Sequence, residues 1–359
     1  MTRPISAAFA CIKGPQLSPT ESDMLNKYNP VGITIFKRNI INPQQLRKLT
    51  DDIRNAIGRD DVLIAIDQEG GTVRRMRPPY WNDYISQQQI GTLDLSKSCE
   101  LAFVQTNLIA YDLHNAGINM NFAPVTDTRH TNTTPILAPR CFSDDPNTVA
   151  EISSVVAKTY MDNGICPCIK HFPGHGLAEN DPHLGLAKIS HSFDEIKRDW
   201  FPFQKLSEFV PCGMTAHIII PDIDSLPITM SKHGIDIIRN EIGFDGMLIS
   251  DAVEMQSLTG TLEQRVKKIL SAGCDTVCYC SGHDQNNPFM IDENKIVLSS
   301  AGYLSDKSLD KLEKIIKIIS TPYQAPNTNT LKSQFQELVN QTTPIQTPNF
   351  DGTENWSDK

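Results

Sequence analysis

The fold this sequence predicts is an α/β barrel of the TIM-like (β/α)8 kind, and three observations predict it. Eight short β-type apolar runs recur along the chain, and amphipathic stretches of helical length separate them. Polar residues suited to chemistry follow nearly every run. The alternation implies a parallel sheet covered on both faces, which an open doubly wound sheet would also satisfy. The polar residues decide between the two, because an open sheet gathers its ligand at one switch point whereas a barrel brings the ends of many strands to one site. Here Asp67 follows the third run, Asn121 and Asp127 the fourth, Lys170 and His171 the fifth, His217 the sixth and Asp251 the seventh.

Taken in order, the predicted strands cover residues 7–12, 31–36, 62–66, 118–122, 165–170, 212–217, 246–250 and 274–279, each a short apolar run of strand length. Between them, residues 43–57, 99–116, 146–163, 193–209, 232–242 and 262–272 carry an apolar stripe at helical spacing and are long enough to cross over between parallel strands. Gly117, Gly164 and Gly273 stand where a helix must stop before the next strand begins. Residues 1–320 are thus expected to form one barrel domain. Residues 321–359 are rich in Thr, Pro, Asn and Gln and are expected to be a disordered or irregular tail. Within it Leu331, Phe335 and Leu338 share one face of a short helix over 331–340.

Composition narrows the function. Hydrophobic residues make up 39% of the 359 and charged residues 21%, which suits a globular core. A net charge of −9 repels a phosphate backbone, so nucleic acid is not an expected partner. The apolar run at 5–12 is too short to span a bilayer and reads as a buried first strand, with no membrane partner implied. Most of the nine cysteines, including Cys166/Cys168 and Cys278/Cys280, lie in strand-like runs, where alternate residues share a face and small apolar side chains pack. Reduced thiols in a cytoplasmic protein, here expected to be a monomer, are the consistent picture.

Four segments carry the chemistry. In Asp67-Gln68-Glu69-Gly70-Gly71, running on to Arg75, a carboxylate at a strand end precedes two glycines that let the backbone turn sharply. Asp67 there suits accepting sugar hydroxyls and Arg75 donating to one; a solvated turn is the plain alternative. Lys170-His171-Phe172-Pro173-Gly174-His175-Gly176, running on to Asp181-Pro182-His183, admits three readings. A metal site lacks the H-x-x-x-H spacing it would want. A Schiff-base aldolase would use Lys170 at a barrel strand end. A sugar pocket would use His183 as general acid/base with Asp181 as its orienter, because Pro182 favours an extended chain in which residues 181 and 183 project to one side. The strand ending at Asp251 presents a carboxylate at the rim, where a nucleophile for an anomeric carbon belongs; Asp245 lies at the strand's other end and Glu254 past the rim. Arg140, in the loop after the fourth strand, can reach hydroxyl or carboxylate groups.

Together these segments resemble the family 3 glycoside hydrolases, and most closely the short, single-barrel bacterial β-N-acetylhexosaminidases. The resemblance rests on Asp67-Gln68-Glu69-Gly70-Gly71, the run from Asn121 to Asp127, the run from Lys170 to Gly176, Met214-Thr215-Ala216-His217, and Gly243 through Asp251, in order over about residues 5 to 300. It implies a retaining exo-β-N-acetylglucosaminidase in which Asp251 attacks the anomeric carbon and His183, held by Asp181, gives and takes the proton. Asp67, Arg75, Arg140, Lys170 and His171 match positions that hold the sugar hydroxyls. The resemblance further implies N-acetylglucosamine-containing muropeptides of peptidoglycan recycling as substrates, in the cytoplasm, without metal or cofactor. Pro182 stands where the family usually has Ser or Thr, which stiffens the loop. A phosphorylase acting at the same site is the near alternative, since a histidine repels an anionic acceptor less than a second carboxylate does.

Overall fold

The computed structural model describes residues 3–178, 187–281 and 287–346. The barrel strands are β1 (Ser6–Cys11), β2 (Pro30–Ile35), β3 (Leu63–Ile66), β4 (Met120–Asn121), β5 in two segments (Cys166–Pro167 and Ile169–Phe172), β6 (Cys212–Thr215), β7 (Met247–Ala252) and β8 (Thr276–Cys278). All pair in parallel in the order of a cylinder. The first β5 segment borders β4 at one end of the sheet, and the second borders β6 at the other. One strand therefore supplies both edges and the sheet closes into the barrel the sequence predicts. Closure leaves no exposed edge.

The break in β5 has a simple cause. Pro167 has no N–H to give the ladder, so the pairing resumes only at Ile169, with Cys168 N donating to the Asn121 and Ala123 carbonyls at 2.9 and 3.1 Å. The predicted strand 118–122 shrinks to two residues because asparagine side chains replace part of its ladder. Asn119 accepts from Ile64 N and donates to Val62 O, while Asn121 accepts from Gln68 N and donates to Gln68 O. These amides mimic a backbone pair.

Most crossover helices stand where the apolar stripe placed them, among them Pro43–Ile57, Leu95–Asn115, Pro146–Asp162, Lys232–Asn240 and Leu262–Ala272. The stretch 193–209 is two helices, Phe193–Arg198 and Phe201–Ser207. Pro202 explains the break, since its ring clashes with the carbonyl four residues back and it opens the second helix in the first turn. Helices Pro19–Tyr28, Met290–Ala301 and Asp306–Ile319 were not anticipated, although Ser18 and Glu21 form a capping box readable from their spacing. After residue 320, helix Thr328–Val339 packs on helix Leu95–Asn115 and buries Phe335 edge-on to Tyr84, with ring centroids 6.2 Å apart.

Aromatic rings packed against the barrel strands need room that glycines on neighbouring strands provide. A Cβ on Gly32 of β2 would lie 2.3 Å from the Phe9 ring, and one on Gly213 of β6 would lie 2.4 Å from the Phe172 ring. Close packing of this kind fixes register. Ile66 aligns with Asn121, Asn121 with Pro167, Phe172 with Thr215, and Thr215 with Ser250. The residues after those positions therefore emerge at one level, on the C-terminal face. Among the described residues no helix is long and apolar enough to cross a membrane.

Candidate active site

The turn after β3 is built around Gln68. Its fully buried side chain accepts from Arg75 N at 2.8 Å and Met76 N at 3.0 Å and donates to Met76 O at 2.9 Å. The loop therefore doubles back and returns Arg75 to Asp67. Gly70 makes this possible: its φ is 103°, and a Cβ there would meet Ile85 O at 2.3 Å.

Five charged side chains meet where the ends of β3 and β5 approach the loop after β4. Lys170 Nζ donates to Asp67 Oδ1 at 2.9 Å and reaches Glu69 Oε1 at 2.6 Å. Arg75 Nη2 reaches Asp67 Oδ2 at 3.1 Å. Arg140 grips Glu69 with two donors, Nε at 2.8 Å and Nη2 at 2.9 Å. Two carboxylates thus share three cations. Burial alone would raise Asp67 and Glu69, but Lys170 and Arg75 hold Asp67 well below the usual carboxylate range, and Arg140 and Lys170 do the same for Glu69. Conversely Asp67 and Glu69 raise Lys170 against the effect of its burial. The Schiff-base reading of Lys170 is disfavoured on these grounds, because an amine nucleophile must be deprotonated. Exposure separates the two carboxylates: the Asp67 side chain is 17% exposed and that of Glu69 1%. Asp67 is the acceptor within reach of a ligand, and Glu69 is a sequestered brace.

A second group lies beside the first. Asp127, fully buried, accepts from His171 Nδ1 at 2.7 Å, His171 N at 3.3 Å and His175 N at 2.7 Å. These bonds and the neighbouring imidazoles hold it low despite burial. With Nδ1–H committed to Asp127, the other nitrogen of His171 faces Arg140, 3.5 Å from Nη2. Arg140 is pinned from behind, since Gln87 Nε2 donates to Arg140 O at 2.6 Å and Val125 O at 2.9 Å. Neighbouring Cys141 is buried, with its thiol on Leu137 O. His175 packs edge-on to His171 at 5.7 Å, and neither of its ring nitrogens has a hydrogen-bond partner. Burial first, and then the neighbouring His171 imidazole, push its pKa down to about 4.

Across the barrel, β7 delivers Asp251 to the same face, half-buried, with Oδ1 on Ala252 N at 2.7 Å. His217, after β6, contacts Ala252 O through Nε2 at 3.0 Å and Thr229 Oγ1 through Nδ1 at 2.9 Å. An imidazole thus buttresses the backbone beside Asp251. Glu254 accepts from Cys280 N at 3.2 and 3.3 Å, past the rim as its position implied. Of the residues singled out in the sequence, Asp67, Arg75, Arg140, Lys170 and His171 converge in one cluster and Asp251 stands on the facing strand. Asp181, Pro182 and His183 lie outside the described residues. The sequence reading gave no part to Glu69 or to the bracing of His171 by Asp127. Among the described residues no group of three or more His, Cys, Asp or Glu could hold a metal ion.

The chain is similar to known proteins in both sequence and fold. The model described as the glycosyl hydrolase family 3 N terminal domain matches residues 7–317. A beta-hexosaminidase of Bordetella avium is 31% identical over 319 residues, covering 87% of this chain and 88% of its own. One from Stenotrophomonas maltophilia is 35% identical over 290 residues, covering 79% of this chain and 84% of its own. Among solved structures, NagZ from Neisseria gonorrhoeae in complex with N-trifluoroacetyl-D-glucosamine superposes with a TM-score of 0.79 at 27% identity, covering 94% of this chain and 97% of that one.

Proposed function

The chain belongs to glycosyl hydrolase family 3 and is a glycoside hydrolase, and from that premise we propose that it is a retaining exo-β-N-acetylglucosaminidase. The observation that carries this reading is the buried cluster of Asp67, Arg75, Lys170, Glu69 and Arg140 at the barrel's C-terminal face. It presents one partly exposed acceptor among cationic donors, which suits the vicinal hydroxyls of a terminal sugar better than a phosphate or an apolar ligand. The curated relatives' name and the sugar analogue bound by the gonococcal NagZ support N-acetylhexosamine as that sugar.

In the proposed mechanism the terminal N-acetylglucosamine sits on Asp67, Arg75, Arg140, Lys170 and His171. A carboxylate oxygen of Asp251 attacks the anomeric carbon as its bond to the leaving oxygen breaks, and His183 protonates that oxygen. Asp181 orients His183. Water then gives a proton to His183 and attacks the same carbon, releasing Asp251 with configuration retained. The preferred substrates are N-acetylglucosamine-containing muropeptides of peptidoglycan recycling, met in the cytoplasm by a monomer. Residues 1–320 form the catalytic unit and 321–359 a tail outside it, so a chain ending at residue 320 should keep its turnover while melting earlier.

Hydrolysis of a chromogenic β-N-acetylglucosaminide by wild type and by Asp251→Asn is the test. Wild type should be active, and the variant should lose on the order of a thousand-fold or more in kcat. An unimpaired variant removes the nucleophile assignment. Formation of the sugar 1-phosphate in phosphate buffer would replace hydrolase by phosphorylase.

A further inference from the structure

The end of β8 carries two thiols that the sugar chemistry does not use. Cys278 is the last residue of the strand and Cys280 follows two residues on. Their sulfurs are 3.5 Å apart and not bonded. In an extended chain residues i and i+2 share a side, and two residues span about 6.6 Å, near the upper end of the Cα separations of about 4.4–6.8 Å that disulfides span. Cys278 is buried and Cys280 half-buried, so only the second is open to a small reagent. Cys11, the third thiol nearby, is fully buried, and Asn294 occupies its backbone N–H and carbonyl.

The backbone of this dithiol is bonded directly to the strand end that bears Asp251. Val253 N donates to Cys278 O at 2.9 Å, Cys278 N to Ser250 Oγ at 3.2 Å, and Cys280 N to Glu254. Ala252 aligns with Cys278, and the β7–β8 register already shifts between Ile249 and Ala252. Three bonds thus tie residues 278 and 280 to residues 250, 253 and 254, on both sides of the proposed nucleophile.

We propose that Cys278 and Cys280 form a reversible oxidation site, closed to a disulfide by a peroxide, whose formation shifts the Asp251 end of β7. The Cys280 sulfur attacks a peroxide oxygen, giving a sulfenic acid and one water. The Cys278 sulfur then attacks the sulfenic sulfur, releasing a second water and leaving the disulfide. The dithiol loses two electrons and the peroxide gains them. Contact with the Cys278 sulfur, together with burial, holds the Cys280 thiol well above its ordinary range. The pair therefore reacts slowly, over sustained exposure.

The coupling to activity rests on the glycosidase reading, so the test uses two readouts. Full-length protein is treated with hydrogen peroxide, alkylated and mapped by mass spectrometry, and the Val253 amide is followed by hydrogen exchange. The expected result is a peptide holding both cysteines that has lost two hydrogens and resists alkylation, with faster exchange at Val253 and activity reduced on the order of a hundred-fold, the cost of misplacing a reacting group by about 1 Å. Dithiothreitol should reverse all three, and Cys278→Val should keep its activity in peroxide. Absence of the linked peptide overturns the proposal, and so does a linked peptide with unchanged Val253 exchange. Mass and exchange do not depend on turnover, so a protein inactive when reduced would count against the glycosidase reading alone.

Discussion

The two walls of the site are held by different means. On the β3–β5 side, each charged group of the cluster lies within 3.1 Å of an opposite charge, and Lys170 and Arg140 reach across to the turn that holds Asp67, Glu69 and Arg75, so side chains from three parts of the chain brace one another. On the β7 side, Asp251 is set by its strand: β6 and β8 pair on either flank, and His217 supports the carbonyl of Ala252. Side chains that bind need one another's charge to stay ionised and in place, whereas a nucleophile needs position and a carboxylate left accessible. The first wall should therefore fail in stability and affinity together, and the second in turnover alone.

The largest expected effect tests the second half of that contrast. Asp251→Asn should abolish turnover as described above and change the unfolding free energy from urea denaturation by less than about 1 kcal/mol, because the amide keeps an oxygen to accept from Ala252 N. A variant that also unfolds would show that Asp251 is braced like the other wall. Glu69→Gln should do the opposite. It leaves three buried cations with one carboxylate, and breaking a buried pair in this way costs about 3–5 kcal/mol. Urea denaturation should show that loss and initial-rate kinetics a raised KM. A variant of unchanged stability would mean that Glu69 is not the brace.

Asp127→Asn sharpens the comparison within the first wall. The amide keeps an acceptor for one backbone N–H but removes the charge that fixes Nδ1–H of His171. Loss of such an orienting partner typically costs about 10–100-fold. A drop of that size in kcat/KM, with an altered pH profile, is expected; a change in melting temperature alone would reduce Asp127 to a packing role.

Much of this was legible in the sequence, for physical reasons. The period of apolar residues gave the strands, and residues at strand C-terminal ends gave the rim, because a parallel barrel brings all those ends to one face. Asp67, Arg75, Arg140, Lys170 and His171 were found because they combine charge with that position. Glu69 was passed over because it sits two residues beyond Asp67 in the same turn, and only the fold-back around Gln68 shows which carboxylate is buried. The broken helix at 199–200 and the divided β5 turned on Pro202 and Pro167, local signals that the longer apolar patterns outweighed. The support of Ala252 O by His217 joins residues 35 apart and left no trace in spacing.

At neutral pH the smallest effect is expected from His175, yet it decides how the first wall fails in acid. Asp67, Glu69 and Asp127 have folded values below their unfolded ones, so the stability they contribute is present above the ordinary carboxylate range and is lost only as pH falls through the depressed values. His175 acts earlier. Its folded value is about 4 against an ordinary 6.5, so in that window the unfolded chain binds a proton that the native state excludes. Stability should therefore decline as pH drops from about 6.5 to about 4, by roughly 3 kcal/mol at most. His175→Leu should match wild type at pH 7 and lack that decline, because an apolar side chain in a site with no hydrogen-bond partner for either ring nitrogen loses nothing there. Urea midpoints measured every half unit from pH 7 to pH 4 distinguish the two. Identical slopes would shift the acid limit of the wall back to its carboxylates.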